Sequence, residues 1–487
     1  MTSTTLFNQN AVDVLIVGAG LSGISAAAHL QRTHPDYSFH IIESRANVGG
    51  TWDLFKYPGI RSDSDMHTLG FDFKPWIANK SIADGPSIKS YIEETITEQA
   101  LWPKISTEHR VTAAHWHSDR NRWLVTIEHQ DQQHQVECKF LQLCCGYYRY
   151  DSAYKPDYPG ESDFQGPIIH PQFWDPEFDY TDASVVVIGS GATAVTLVPS
   201  LAEKARHVTM LQRSPTYVVS RPSSDKFANA LRAILPNSWA YFITRMKNIG
   251  LQQFVYQRCR RYPENAKRMI INMLRPLVPA GFDVDKHFTP SYTPWEQRLC
   301  LVPDADLFDA IHNNKASIVT DTIKCFDSTG IQLDSGDRLD ADIIVSATGL
   351  SLLFLGGIDI QVDNQSLDAP NRFVYKGCML SGVPNLTYAM GYTNASWTLK
   401  CDLTHRYFNR LLTYMKAQNR DSFVPGEPDN TDATEGFLDL NSGYIKRYEH
   451  ELPKQSTQSP WKLHQNYFKD WWALRRNPAN DVGLTFR

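Results

Sequence analysis

Two glycine-rich turns carry the clearest chemical signal in this sequence. Both have the spacing that lets a main chain wrap around the phosphates of a dinucleotide: Gly18, Gly20 and Gly23 in the first turn, and Gly189, Gly191, Thr193 and Ala194 in the second. The first glycine permits the tight bend, the second lets the backbone approach the pyrophosphate, and the third position allows close helix–strand packing. The N-terminus of the following helix stabilises the phosphate charge. The two turns therefore predict two dinucleotide sites in one chain.

The end of the next strand distinguishes the two sites. Glu43 lies 25 residues after Gly18, where a carboxylate can accept hydrogen bonds from ribose hydroxyls. The corresponding strand of the second unit ends at Arg213 and Ser214, with no acid. A carboxylate would repel a 2′-phosphate, whereas Arg213 can bind it through charge-assisted hydrogen bonds. We therefore predict FAD at the first site and NADPH at the second, with a solvated surface cation as the alternative interpretation of Arg213.

The elements that must position these turns are β-α-β units. Apolar runs at 12–17 and 39–43 are typical of buried strands and flank a segment with helical spacing. The same pattern returns at 184–213, and further strand-like runs end in glycine-containing turns at 143–146 and 346–349. The predicted fold class is α/β, with two Rossmann-like dinucleotide-binding domains and a helical insertion in the second.

These units predict a division of the 487 residues into two domains and a linker. The FAD-binding domain is discontinuous and comprises 1–147 and 345–487. The linker is 148–177. The NADPH-binding domain is 178–344, with the helical insertion at 223–285.

Composition and charge exclude several classes of protein. Hydrophobic residues make up 42% and charged residues 21%, which is typical of a folded chain. The net charge of -5 gives no reason to expect nucleic acid as a partner. The first ten residues lack the features of a secretory signal, and no window approaches the ~20 apolar residues that span a bilayer. The eight cysteines form no C-x-x-C pair or zinc-like cluster, so a cytoplasmic protein without a metal site is expected.

Two longer motifs identify a family. The segment between the units matches F-x-G-x-x-x-H-x-x-x-W-[PD] at Phe164, Gly166, His170, Trp174 and Asp175. The signature [AG]-G-x-W-x-x-x-x-[FY]-P-[GM]-x-x-x-D is matched from Gly49 to Asp63, and it contains Thr51 and Trp52. Both resemble motifs of the Baeyer–Villiger monooxygenases, which are class B flavoproteins. The resemblance extends over 12–487, and segments such as KYPGIRSDSD and PWEQRLCLVPDADLF are similar to the branch of ethionamide-activating monooxygenases of mycobacteria.

This resemblance implies an activity and assigns roles to particular residues. The implied reaction uses FAD, NADPH and O2 to convert a small apolar ketone into an ester or lactone through a C4a-peroxyflavin, with oxidation of thioethers or thioamides as a second activity. Arg298 matches the family's active-site arginine, and Asp63 is its expected partner carboxylate. Thr51 and Trp52 belong to the FAD side. A structural ion pair for Arg298 and a helix cap for Asp63 are the alternative interpretations.

Other functions are weighed against this one. A flavin-containing monooxygenase that oxidises only sulfur or nitrogen would carry Phe or Tyr in place of Trp174. A disulfide reductase needs an early cysteine pair, whereas the first cysteine here is Cys138. A nucleotide-sensing scaffold has no need for Arg298. His170 and Trp174 are expected to act through movement of the nucleotide domain and not by contact with substrate.

The predicted helical segment has a distinct charge. Residues 223–280 contain ten Lys or Arg against two Asp or Glu. A weak peripheral contact with an anionic membrane surface and a solvated basic face both stay open as interpretations. Its apolar residues at 227–256 suit an entrance for an apolar substrate.

Overall fold

The computed structural model of the protein describes residues 10–431, 434–438 and 441–487. Nine of the ten residues on which the absence of a secretory signal was predicted lie outside this description. The helices are α1 (Leu21–Thr33), α2 (Thr51–Leu54), α3 (Met66–Leu69), α4 (Gly85–Glu98), α5 (Ala192–Leu201), α6 (Lys226–Ile234), α7 (Asn237–Arg261), α8 (Pro263–Leu274), α9 (Val284–Phe288), α10 (Asp306–His312), α11 (Trp397–Gln418), α12 (Gly443–Lys446) and α13 (Tyr467–Arg475).

Strands occur along the whole described chain. They are β1 (Ala11–Val17), β2 (Phe39–Ile42), β3 (Ile105–Ser106), β4 (Arg110–His117), β5 (Arg122–His129), β6 (Gln132–Leu143), β7 (Ile168–Ile169), β8 (Ser184–Ile188), β9 (His207–Gln212), β10 (Val218–Arg221), β11 (Cys300–Pro303), β12 (Ala316–Thr320), β13 (Ile323–Asp327), β14 (Gly330–Leu333), β15 (Arg338–Asp340), β16 (Ile343–Ser346), β17 (Asp359–Val362), β18 (Gln365–Ser366), β19 (Val374–Tyr375), β20 (Met379–Leu380), β21 (Leu386–Tyr388), β22 (Phe423–Pro425), β23 (Thr434–Gly436), β24 (Lys454–Ser456) and β25 (Leu484–Phe486).

The larger sheet combines strands from distant parts of the chain. Its order is β18-β17-β4-β5-β6-β1-β2-β3, and β21 also pairs with β6. The long strand β6 pairs with two strands along one edge. Its first part pairs antiparallel with β5, and its end, Leu141–Leu143, pairs parallel with β21. On its other edge β6 runs parallel to β1. Strands on both sides of the second nucleotide unit therefore build one sheet.

The second sheet is entirely parallel. Its order is β12-β9-β8-β16-β7, and β7 comes from the segment that carries the linker motif. Four of the five residues of β8 are buried, as expected for a strand covered on both faces. The predicted α/β fold class is confirmed. The predicted strands at 12–17 and 39–43 are confirmed, and so are the two strands of the predicted unit at 184–213. The domain boundaries stay a prediction.

Four helices, α6 to α9, fill the segment between β10 and β11. Helix α7 packs against the elements around the larger sheet through Arg245, whose side chain is buried. Arg245 donates hydrogen bonds of 2.8 Å to the carbonyl oxygens of His67 and Gly70, and it pairs with Asp402 at 3.0 Å. Among the described residues, no helix combines the length and apolar character needed to cross a membrane.

Candidate active site

One cavity of about 1050 Å³ joins the two glycine-rich turns. Its lining comes from both sheets and includes most of the residues singled out from the sequence: Gly18, Gly20, Glu43, Thr51, Trp52, Asp63, Gly189, Gly191, Thr193, Arg213, Ser214 and Arg298. Gly23 and Ala194, the packing positions of the two turns, do not line it, and neither do the five residues of the linker motif. The fold thus brings the two turns and both candidate catalytic residues to a single space.

The first turn connects β1 to α1 and has the geometry that its glycines predict. Gly18 has a φ of +105°, and a Cβ atom there would lie 2.6 Å from the carbonyl oxygen of Cys144. A Cβ atom on Gly23 would lie only 1.8 Å from the carbonyl oxygen of Gly18, so this position requires glycine. The Glu43 carboxylate accepts hydrogen bonds from the backbone N–H groups of Ala19 (2.8 Å) and Arg45 (3.0 Å). Burial raises the pKa of Glu43, although these hydrogen bonds lower it in part.

The second turn connects β8 to α5. Gly189 has a φ of +140°, and a Cβ atom there would lie 2.4 Å from the carbonyl oxygen of Ala347. No atom lies within 4 Å of a Cβ built on Gly191, so this turn is open for close approach of a ligand. Arg213 follows β9 directly and is exposed. In the part of the chain that is described, its guanidinium has no ion pair or hydrogen bond, so it is available to an anionic ligand.

The linker motif lies behind the cavity and contacts its wall. His170 Nδ1 accepts a hydrogen bond from the backbone N–H of Gln172 (3.1 Å), and Nε2 donates to the carbonyl oxygen of Gly349 (3.2 Å). Burial lowers the pKa of His170, and the hydrogen bond to Gly349 raises it in part. Trp174 is buried against Phe178 and Tyr180. The motif therefore holds the turn at 346–349 that follows β16.

The other motif residues have structural contacts. Phe164 is buried in a small core under the second sheet. A Cβ atom on Gly166 would lie 2.4 Å from the carbonyl oxygen of Asp342. Asp175 accepts a hydrogen bond of 3.0 Å from the backbone N–H of Glu177.

Arg298 and Asp63 face the same cavity from different elements. Among the described residues no ion pair within 4 Å joins them, so the direct contact expected from the sequence is not made. Their charges nevertheless interact: burial raises the pKa of Asp63, and the positive charges of Arg298 and Arg61 lower it in part. Asp63 lies at the cavity wall and is accessible to solvent there. Arg61 has its own partner, because it forms an ion pair with Asp306.

Three tyrosines surround Arg298 and were not singled out from the sequence. Tyr147 and Tyr148 follow β6, their hydroxyl oxygens lie 3.1 Å apart, and Tyr147 stacks on Trp397 with ring centroids 5.1 Å apart. Tyr444 comes from α12 near the end of the chain. Burial works against the charged form of Arg298, whereas these tyrosines and Asp63 favour it, so its pKa lies above the usual value. Burial raises the pKa of Tyr148 to about 12.

Comparison of the whole chain with known proteins gives a clear relationship. A model of the pyridine nucleotide-disulphide oxidoreductase family matches residues 15–270. The FAD-containing monooxygenase EthA of Mycobacterium tuberculosis is 50% identical over 476 residues, which is 98% of this chain and 97% of EthA. The probable FAD-binding monooxygenase AlmA of Acinetobacter baylyi is 48% identical over 479 residues, which is 98% of this chain and 96% of AlmA. The chain belongs to the class B flavin monooxygenase family.

Solved structures support the fold of this class B chain. An oxidized steroid monooxygenase bound to NADP superposes with a TM-score of 0.78 at 20% identity, covering 98% of this chain and 99% of that one. The cyclohexanone monooxygenase from Rhodococcus sp. Phi1 bound to NADP+ has a TM-score of 0.76 at 18% identity, with the same coverage. At this level of identity the likeness concerns the fold alone.

The cysteines of this class B flavin monooxygenase are not arranged for disulfide exchange. All eight are free. Cys144 and Cys145 are the pair nearest to the first turn, and burial raises the pKa of both thiols, that of Cys145 to about 12. Because the thiolate is the reactive form, the disulfide reductase alternative has no support in these residues.

Proposed function

We propose that this chain is an FAD- and NADPH-dependent Baeyer–Villiger monooxygenase that oxygenates small apolar ketones, with sulfur oxidation as a second activity. The observation that carries the proposal is the single cavity onto which both dinucleotide turns, Arg298 and Asp63 open. Family membership supports it, since EthA is named an FAD-containing monooxygenase and the steroid monooxygenase structure contains NADP.

The first turn fits the pyrophosphate of FAD. Gly18 and Gly20 leave no side chain between the backbone and the cavity, and Gly23 allows α1 to pack closely on the turn. Helix α1 begins at Leu21, which also lines the cavity, so a phosphate there would lie at the helix N-terminus. Glu43 Oε2 accepts one hydrogen bond, from the backbone N–H of Ala19, and so retains a lone pair for a ribose hydroxyl. Its Oε1 accepts from the backbone N–H of Arg45 and, at 3.4 Å, from the hydroxyl of Ser44. Thr51 and Trp52 would border the flavin from the start of α2.

The second turn fits NADPH. Gly189 and Gly191 would hold its pyrophosphate at the N-terminus of α5, and Thr193 lies in the first turn of the helix. The buried Ala194 would allow this helix to pack closely on the turn. Arg213 and Ser214 would contact the 2′-phosphate. His170 would act as a positioning residue for the wall at 346–349. The chain division into 1–147 with 345–487, 148–177 and 178–344 is proposed on the same basis.

The side chains at the centre of the cavity would stabilise charge and exclude water. When bound, FAD and NADPH supply the electrons and the oxygen activation. Arg298 would donate N–H groups to the carbonyl oxygen of the ketone and stabilise negative charge as it develops there. Asp63, with its raised pKa, would balance the charge of Arg298 and accept a proton more readily than an ordinary aspartate.

Product analysis tests this proposal directly. FAD-loaded protein is incubated with NADPH, ¹⁸O₂, a linear methyl ketone and an aryl methyl thioether, and the products are identified by mass spectrometry. We expect an ester and a sulfoxide, each with one ¹⁸O atom. Sulfoxide without ester would replace the Baeyer–Villiger assignment by the heteroatom-oxygenating alternative. NADPH consumption with H₂O₂ as the sole product would exclude both probes as substrates.

We further propose that the helical insertion contacts an anionic membrane surface on the cytoplasmic side. Large apolar side chains on α6, α7 and α8 are exposed: Phe227, Ile234, Trp239, Phe242, Leu251, Phe254, Met269 and Met273. Exposed apolar side chains at this density are typical of an interaction surface. Taking about 100° per residue, Arg258 and Arg261 fall on the same half of α7 as Trp239 and Phe254.

This surface would also be linked to the cavity. Tyr256 of α7 packs edge-on against Trp295, with ring centroids 5.5 Å apart. Trp295 lies in the loop that leads to Arg298. An apolar substrate arriving from lipid would therefore reach the insertion beside the loop that carries the proposed catalytic arginine.

Vesicle flotation tests the membrane contact. We expect the wild-type protein to float with phosphatidylglycerol vesicles at low salt and to remain behind with phosphatidylcholine vesicles. The variant Trp239→Ser/Phe254→Ser should bind at least about tenfold more weakly, because two large apolar groups no longer enter the interface. Trp102→Ser/Val482→Ser removes exposed apolar groups elsewhere and should bind normally. A wild-type dimer that only the first variant dissociates would make this surface an interface between two copies instead.

A further inference from the structure

Arg447 is a further arginine of the cavity wall, and two of its donor groups lack acceptors. It lies directly after α12 and lines the cavity wall. Its guanidinium carbon lies 3.4 Å from the ring centroid of Tyr154. Within the described chain, its Nε and Nη2 atoms are buried and have no hydrogen-bond partner. Buried donors on a charged group are costly to leave unpaired, so an acceptor from a ligand is expected there.

The position of Arg447 relates it to the second glycine-rich turn. A Cβ atom built on Gly349 would lie 3.4 Å from Arg447 Nη2. The segment 346–349 also packs against the second glycine-rich turn, because a Cβ atom on Gly189 would contact the carbonyl oxygen of Ala347. In the second sheet, β16 and β9 flank β8 on opposite sides. Arg447, beside the end of β16, and Arg213, at the end of β9, therefore lie on opposite sides of the turn.

We propose that Arg447 binds the pyrophosphate of the nicotinamide dinucleotide, on the side of the turn away from Arg213. The inference rests on the proposed function, which assigns this dinucleotide to the second turn. A guanidinium can donate two parallel hydrogen bonds to one phosphate group. Stacking on Tyr154 already orders the side chain, so little conformational entropy is lost when the phosphate binds.

The chain segment that carries Arg447 also contacts the surroundings of Arg298. The segment 441–447 also carries Tyr444, one of the three tyrosines around Arg298. The backbone N–H of Asn441 donates a hydrogen bond of 2.7 Å to the carbonyl oxygen of Glu296, two residues before Arg298. Binding of a phosphate by Arg447 would therefore hold the same segment that contacts the loop of the proposed catalytic arginine.

Ligand binding by Arg447→Gln tests the inference, with Lys446→Gln as the matched control. Lys446 is exposed, precedes Arg447 in the chain and does not line the cavity. With FAD-loaded protein, calorimetric titrations measure the Kd of NADP+, NAD+, ADP-ribose and 2′-phospho-ADP-ribose. We expect Arg447→Gln to raise every Kd by a similar factor, about ten- to a hundredfold. Flavin content and unfolding temperature should match those of Lys446→Gln.

The four ligands separate the pyrophosphate from the other groups of the dinucleotide. Unchanged Kd values in Arg447→Gln would overturn the inference. A loss confined to NADP+ and NAD+ would assign Arg447 to the nicotinamide, and a loss confined to the 2′-phosphorylated ligands would assign it to the 2′-phosphate; either result overturns the pyrophosphate contact. A wild-type protein that binds none of them would contradict the proposed function itself, and the inference would fall with it.

Discussion

Replacement of Arg298 by alanine is expected to lower the yield of oxygenated product about 100- to 1000-fold while NADPH oxidation continues. The guanidinium carries the positive charge that the developing oxyanion needs, and Asp63 and the surrounding tyrosines favour this charged form. FAD and NADPH should still bind, because Arg298 belongs to neither glycine-rich turn. The measurement is the ratio of ester to NADPH consumed, with H₂O₂ quantified in parallel.

The unfolding temperature and two further variants make the Arg298 result specific. In the described chain Arg298 forms no hydrogen bond or ion pair, so its removal should leave the unfolding temperature close to that of the wild type. Arg206→Ala removes an exposed arginine paired with Asp342 at 2.9 Å and should keep full product yield. Arg298→Lys should recover only part of the yield, because lysine retains the positive charge but lacks the planar set of N–H donors of a guanidinium. An unchanged product yield in Arg298→Ala would remove Arg298 from the reaction.

The nucleotide units could be predicted because their signals are local. Residues 12–43 contain a buried strand, a glycine turn, a helix and an acid in one continuous stretch, and each signal has its own steric or electrostatic cause. The structure follows that pattern from β1 to Glu43. The insertion predicted to be helical at 223–285 contains α6, α7 and α8, and α9 begins within it at Val284.

The remaining residues of the site could not be predicted because they meet only through the tertiary fold. Tyr148 and Tyr444 are almost 300 positions apart, and neither belongs to a periodic pattern. Arg447 is one of many arginines in the sequence, and only the fold shows that it lines the cavity with buried donors that lack acceptors. Arg245 was counted among the basic residues of the insertion, yet it is buried against Asp402 because α7 packs on the unit of the larger sheet. Charge counts along a sequence cannot separate such a residue from a solvated one.

Replacement of Arg213 by alanine is expected to raise the KM for NADPH about ten- to a hundredfold and to leave the KM for NADH unchanged. An increase in KM of this size corresponds to the loss of charge-assisted hydrogen bonds to one phosphate group. Arg213 is exposed and, within the described residues, free of partners, so its removal should cost little stability. Initial rates with each nucleotide provide the measurement, and Arg206→Ala is again the matched control. Equal changes for NADPH and NADH would exclude Arg213 from the 2′-phosphate site.

Combining Arg213→Ala with Arg447→Gln separates the two proposed phosphate contacts. Because the two arginines lie on opposite sides of the second turn, their effects on the Kd of NADP+ should multiply to within about twofold. For NAD+, the double variant should match Arg447→Gln alone, since NAD+ lacks the 2′-phosphate. A double variant no weaker for NADP+ than either single variant would mean that both arginines serve one phosphate group. The proposed nucleotide orientation, with its pyrophosphate between β8 and β16 and its 2′-phosphate at β9, would then be wrong.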